Sequence, residues 1–252
     1  MINKEALYPL LIYNEPIQYQ NIFVHPVRMR NIILFQTLLK SITVRKNSRF
    51  HDKKIIKMTY LDFLIYCYGN TEIEKEYDIK ELSNYYFYAI KLLQICCKDS
   101  VVDIDHTGKI MINGEIITPA AFDDLRRIII IQNDIDFDID EFLNYDTEQR
   151  LLKAQKDIKQ NGFSANIEDY IDSLVIAMNT TEERIMNMTI RKFYRYLKRY
   201  QLHENFKIAK AGEYSGMISF KEPIKYWMTS LDEEDKYKHL KADEDKIKSK
   251  IS

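Results

Sequence analysis

The chain has 252 residues, of which 46% are hydrophobic and 30% charged, with a net charge of −1. It is too apolar for a disordered chain, and its charge balance excludes a globally basic nucleic-acid binder. Six Gly and five Pro argue against glycine-rich nucleotide folds, propellers and collagen-like repeats, and favour helices with short connections.

Residues 1–26 are punctuated by Pro9, Pro16 and Pro26 and predict an irregular arm with one or two short strands. Over Val27–Val44, Met29, Ile32, Ile33, Phe35, Leu38, Leu39 and Ile42 follow the 3.6-residue helical period. Lys46-Asn47-Ser48-Arg49 is expected to break it. A second helix runs from about Asp52 to Tyr68 and stops at Gly69-Asn70. It is interrupted near Met58-Thr59, where Thr59 caps the second part. A third spans Ile79–Cys97. The period then becomes two. Val101–Ile104, Ile110–Ile112 and Glu115–Ile117, with Asn113-Gly114 between the last two, predict a small antiparallel meander near residues 100–118. Thr118-Pro119 opens a helix reaching about Gln132. An acidic loop, Asn133–Asp146, and a polar helix, Thr147–Gln160, come next. Further helices are expected over Ile167–Met178, after a capping box at Thr180–Glu183, and from Thr189 to near Gly212. Gly216–Trp227 reads as an irregular return. The predicted fold is mainly α and multi-helical with that small meander. The regions are 1–98, 99–230 and a charged tail, 231–252, that is a solvated helix or disorder.

Cys67, Cys96 and Cys97 sit in apolar helical patterns, so buried free thiols and a reducing compartment are expected. The first residues lack a signal-peptide core, and the longest aliphatic run, Ile128–Ile131, falls far short of the ~20 residues that span a bilayer. No membrane association is expected, and synthesis in the cytosol is implied.

Two charged constellations stand out. Asp134, Asp136, Asp138 and Asp140 alternate with apolar residues, as a one-sided acidic strip would. Arg191, Arg195 and Arg199, with Lys192 and Lys198, form a basic helical stripe. Each is expected to be solvated. They pair within one chain or do nothing, the acidic strip docks a basic partner, or one copy's strip meets another's stripe and the protein self-associates head to tail. No His or Cys accompanies the acidic strip. The calcium-like Asp103–Gly108 run lacks the bidentate Glu such a loop needs and reads as a polar turn. No metal, cofactor or catalytic residue is therefore expected, and no specific nucleic-acid binding. Met178–Tyr200 nevertheless has the outline of a helix-turn-helix.

Ile171–Leu197 carries Thr180-Thr181-Glu182-Glu183, Met186 and Met188-Thr189 between a helix and a long helix. In this it resembles tail-assembly chaperones and related morphogenesis proteins of tailed phages from AT-rich Gram-positive hosts. Phe122–Arg126, Gln132–Asp134, Met188–Phe193 and Ser215–Phe220 extend the likeness over the second half of the chain. The resemblance implies a non-enzymatic protein of the host bacterial cytoplasm that holds the tape-measure protein, or another tail protein, soluble. The alternatives are a virion component of the neck, tail or baseplate, and a helix-turn-helix DNA-binding regulator.

Overall fold

The computed structural model describes residues 4–137, 139, 166–216, 220 and 223–231. Among these the protein is mainly α, with eleven α-helices and two small antiparallel sheets of two and three strands. It divides into two compact units, Met1–Phe193 and Tyr194–Ser252. The expected polar helix Thr147–Gln160, Asp138, Asp140 and the charged tail beyond Leu231 lie outside the described residues.

The N-terminal arm is more regular than the prolines suggest. It holds a helix, α1 (Lys4–Tyr13), that contains Pro9, then a hairpin of β1 (Ile17–Tyr19) and β2 (Ile22–Val24). Pro9 gives up the bond its nitrogen would donate to the Glu5 carbonyl and its ring crowds that carbonyl, at the exposed start of the helix. Burial of Leu11 favours the helix despite that loss.

The next helix is α2 (Ile32–Leu39), flanked by 3-10 turns at Met29–Asn31 and Lys40–Ile42, with Ile32, Phe35 and Leu38 buried at helical spacing. Lys46–Arg49, expected as a break, forms a one-turn helix, α3. The interrupted second helix resolves into α4 (Lys53–Lys57) and α5 (Tyr60–Cys67), and the Thr59 hydroxyl caps α5 by accepting from the Asp62 amide. Gly69, at φ +69, ends α5.

A helix with no sequence-based expectation comes next, α6 (Thr71–Glu76), capped by Asn70. The third expected helix starts six residues late, as α7 (Tyr85–Cys96), because Asp78 and Glu81 adopt positive φ and a 3-10 turn, Leu82–Asn84, intervenes. Glu74 fastens this junction. Its carboxylate accepts from the Glu81 amide at 2.9 Å, the Ser83 hydroxyl at 2.7 Å and the Ser83 amide at 3.3 Å. The Ser83 hydroxyl and then the two amides hold the Glu74 carboxyl below its ordinary value of 4.5. A depressed folded-state pKa adds stability above the ordinary value and loses it as pH falls through the depressed one. Glu74→Gln is therefore expected to lower the urea midpoint at pH 7, with the difference from the parent closing as pH falls below about 4.5.

The meander forms as expected from β3 (Val102–Ile104), β4 (Ile110–Ile112) and β5 (Glu115–Ile116). Asn113 and Gly114 both take positive φ, at 54° and 85°, as a two-residue type I′ turn requires. In α8 (Pro119–Gln132), Thr118 is the cap and Pro119 the first residue. Helix α8 packs on α5 and on β2, while α7 packs on α2, α5 and β3. Two buried amides at the end of α8 fix the arm. Gln132 donates to the carbonyls of Val24 at 3.0 Å and Glu15 at 3.2 Å, and Asn133 Oδ1 accepts from the Val27 amide at 3.0 Å.

Then come α9 (Ile167–Ala177), with an Asn166–Asp169 capping box, α10 (Glu182–Asn187) and α11 (Ile190–Tyr214). The cap of α10 is Thr181, which accepts from Arg184, rather than Thr180 of the expected box. The frame is one residue later because the Thr180 amide donates to the Val175 carbonyl, closing α9. The three cysteines are free and buried, and burial pushes Cys67 and Cys97 up to about 12 and raises Cys96. No described helix is long and apolar enough to cross a membrane.

Candidate functional site

The acidic strip is not one extended face. Helix α8 ends in a Schellman motif, with the Asp134 amide donating to the Ile131 carbonyl at 3.2 Å and the Ile135 amide to the Ile130 carbonyl at 3.0 Å. Asp134, at φ 56°, is the left-handed residue of that motif, so its role is to end the helix. Asp136 is exposed, and Asp138 and Asp140 lie outside the described residues.

The basic stripe is not a solvated row either. Arg191 is 4% exposed, and its Nη1 donates to the Leu11 carbonyl at 3.2 Å. The first turn of α11 is core. The Met29 amide bonds the Met188 carbonyl and the Ile190 amide bonds the Val27 carbonyl, both at 2.9 Å, and Arg28 bridges Thr189. Thr189 caps α11 as expected, accepting from the Lys192 amide at 3.3 Å. Lys192 and Arg195 are half-buried. The calcium-like run is a closed polar turn, in which Asp105 accepts from the Thr107 and Lys109 amides at 2.8 Å each. Such bonds, the Lys109 amide first, lower the Asp105 carboxyl below its ordinary value.

Positive charge concentrates elsewhere, at a place the spacing of charges does not single out. Lys40–Lys57 carries seven Lys or Arg against one Asp. Its first half borders two clefts that share Val44 and Arg45. One, of about 340 Å³, lies between α3 and α8 and includes Lys46, Tyr60, Asp123, Arg126 and Phe137. Lys46 is tied to the carbonyls of Ile55 at 3.4 Å, Ile56 at 3.2 Å and, closer still, Met58. Arg126 is buried at 5% exposure, and its Nε donates to the Ile42 carbonyl at 2.6 Å. Its guanidinium lies over the Tyr60 ring, 3.5 Å from the centroid. Tyr60 completes the floor, donating to the Ser41 carbonyl at 2.9 Å and accepting from the Val44 amide at 3.0 Å. Asp123 Oδ1 is 3.6 Å from Arg126 Nη1, an ion-pair distance too long for a hydrogen bond, and no described donor reaches it. Burial raises the Asp123 carboxyl despite the adjacent guanidinium, and lowers Lys46. An apolar floor under fixed cations suits capture of an anionic or aromatic group.

Among the described residues of the unit Tyr194–Ser252, the segment 223–231 is held on the outer turns of α11. Arg199 Nη1 donates to the Thr229 carbonyl at 2.9 Å and, closer, to that of Trp227. The Trp227 ring meets His203 at 4.7 Å, and Tyr226 meets Phe206 at 5.5 Å. Arg199 is thus a clamp for the return segment rather than a member of a solvated stripe. Trp227 is the single tryptophan. Arg199→Ala is expected to cost about 1–3 kcal/mol of docking free energy, from lost hydrogen bonds by a charged donor. It should red-shift Trp227 emission and increase its quenching by acrylamide. Emission identical to the parent's would show that the clamp does not hold the segment.

Residues 153–232 match the family described as YomV second domain. The match points to a phage-type protein family and takes in α9, α10, α11 and the return segment held by Arg199. No curated protein and no solved structure matches the chain. In this YomV-like region Tyr196 and Tyr200 stand one turn apart on α11, and Ile208 and Tyr214 lie further along it, all exposed. Among the described residues no group of three or more His, Cys, Asp or Glu is placed to hold a metal ion.

Proposed function

We propose that this is a non-enzymatic phage protein that acts in tail morphogenesis by binding another protein, as a tail-assembly chaperone for the tape-measure protein in the host bacterial cytoplasm. The observation that carries this reading is the row of exposed Tyr196, Tyr200 and Tyr214 on one face of α11, inside the region with the phage-type match. Tyrosines on a helix present a large, stiff contact area at low entropic cost, and their hydroxyls keep the free surface wettable. A long helical client with an apolar stripe is the partner such a face accommodates, helix against helix.

The second reading, a virion component of neck, tail or baseplate, uses the same face permanently. Mass spectrometry of purified particles separates the two. A chaperone leaves before maturation and is absent, while a stoichiometric signal in washed particles makes the protein structural. The regulator reading has less support. A recognition helix needs its first turn free to reach base edges, and here Ile190, Arg191 and Phe193 are buried.

A further inference from the structure

The end of α8 feeds an aromatic side chain into the cationic cleft. After the Schellman turn, the Phe137 amide donates to the Ile135 carbonyl at 2.8 Å, a tight turn about Asp136. The Phe137 ring then lies beside two guanidinium groups, 4.5 Å from Arg45 and 5.6 Å from Arg126, with Ile139 also on the cleft wall. Arg126 in turn covers Tyr60, so cation and ring alternate from Arg45 to the floor. Phe137 is only half-buried, and the cleft keeps about 340 Å³ of space beside it. The protein's own Phe137, flanked in sequence by Asp136 and Asp138, therefore sets an aromatic ring against Arg45 and Arg126, with Lys46 as a third cation on the cleft and Asp123 as the opposing charge.

We propose that this cleft is a docking site for an acidic peptide segment with an aromatic residue between aspartates, presented by a partner protein, and that Phe137 occupies its ring position in cis until the partner displaces it. The occupant is not a second copy of this chain. An identical segment in trans competes against a tethered one whose effective concentration is about millimolar, and gains no contact in return. A partner segment with more carboxylates or a larger ring does gain. The cleft shares no residue with the exposed α11 face, so it stands or falls independently of the chaperone reading.

The probe is a synthetic peptide of sequence Asp-Ile-Asp-Phe-Asp-Ile-Asp, titrated by calorimetry into the full chain. Phe137→Ala is expected to bind it at least tenfold more tightly than the parent, because the competitor in cis is gone. Adding Arg45→Gln should return the affinity to the parent's or below. A peptide with every Asp replaced by Asn should lose at least tenfold. Equal affinity of parent and Phe137→Ala, or of the acidic and amide peptides, overturns the proposal. A readout that keeps the cleft intact is 4-fluorophenylalanine at Phe137 in the otherwise unaltered chain. Millimolar peptide is expected to move its fluorine resonance to the solvent-exposed position, and an unmoved resonance refutes displacement. A rise in mass by light scattering, without peptide, that Arg45→Gln abolishes would overturn the choice of partner and assign the cleft to a second copy instead.

Discussion

Replacing Arg126 by alanine is expected to lower the free energy of unfolding by about 3–5 kcal/mol. Three losses coincide. The Ile42 carbonyl loses the charged donor at 2.6 Å, the Tyr60 ring loses the guanidinium 3.5 Å from its centroid, and Asp123 loses its counter-charge inside the cleft. A buried hydrogen bond to a charged group contributes about 1.5–3 kcal/mol. A desolvated cation–π contact adds ~2 kcal/mol. Arg126→Lys should recover only a small part, because an ammonium cannot both stack on Tyr60 and reach the Ile42 carbonyl. Urea unfolding monitored by circular dichroism measures it. A loss under about 1 kcal/mol for the alanine variant would mean that the ring and carbonyl contacts contribute little.

Phe193→Ala is expected to cost about 3–5 kcal/mol, the usual loss when an aromatic is deleted from a packed interior. Phe193 is fully buried, whereas Tyr196, three residues on along the same helix, is exposed. Tyr196→Ala should therefore change stability by no more than about 0.5 kcal/mol. The contrast measures how far the first turn of α11 belongs to the core. Similar losses at both positions would mean that Tyr196 is packed and that the exposed face does not exist as described.

How much of this fold is legible in the sequence depends on how local each signal is. Thr59, Thr118, Asn113-Gly114 and the periodicity of α2, α5 and α7 act within four or five residues, and the structure places them as the sequence predicts. Helix α6 escapes a periodicity reading although Asn70 with Glu72 and Glu74 is a cap with acids in the first turn. Its apolar content is one buried Ile73, too little to show a period. The late start of α7 depends on left-handed backbone at Asp78 and Glu81, residues for which positive φ is permitted but not signalled. The charged surfaces are the hardest to read. Regular spacing of Arg191, Arg195 and Arg199 suggests one face, but burial splits them, since Arg191 answers a carbonyl of α1 and Arg199 two carbonyls of the return segment. The basic run from Lys40 to Lys57 is plain in the sequence. The cleft it borders is not, because that cleft exists only once α8 and the turn after it, far along the chain, bring Arg126 and Phe137 against it.

The proposed role makes the outer face of α11 a binding surface. Co-expression with the proposed tape-measure client tests it directly, comparing the parent with a Tyr196→Ser, Tyr200→Ser double variant. The parent is expected to keep the tape-measure protein soluble and to co-purify with it. The double variant should unfold at the same urea midpoint yet leave the tape-measure protein insoluble. Equal soluble yield with parent and variant, or an insoluble client with both, would contradict the assignment of this face.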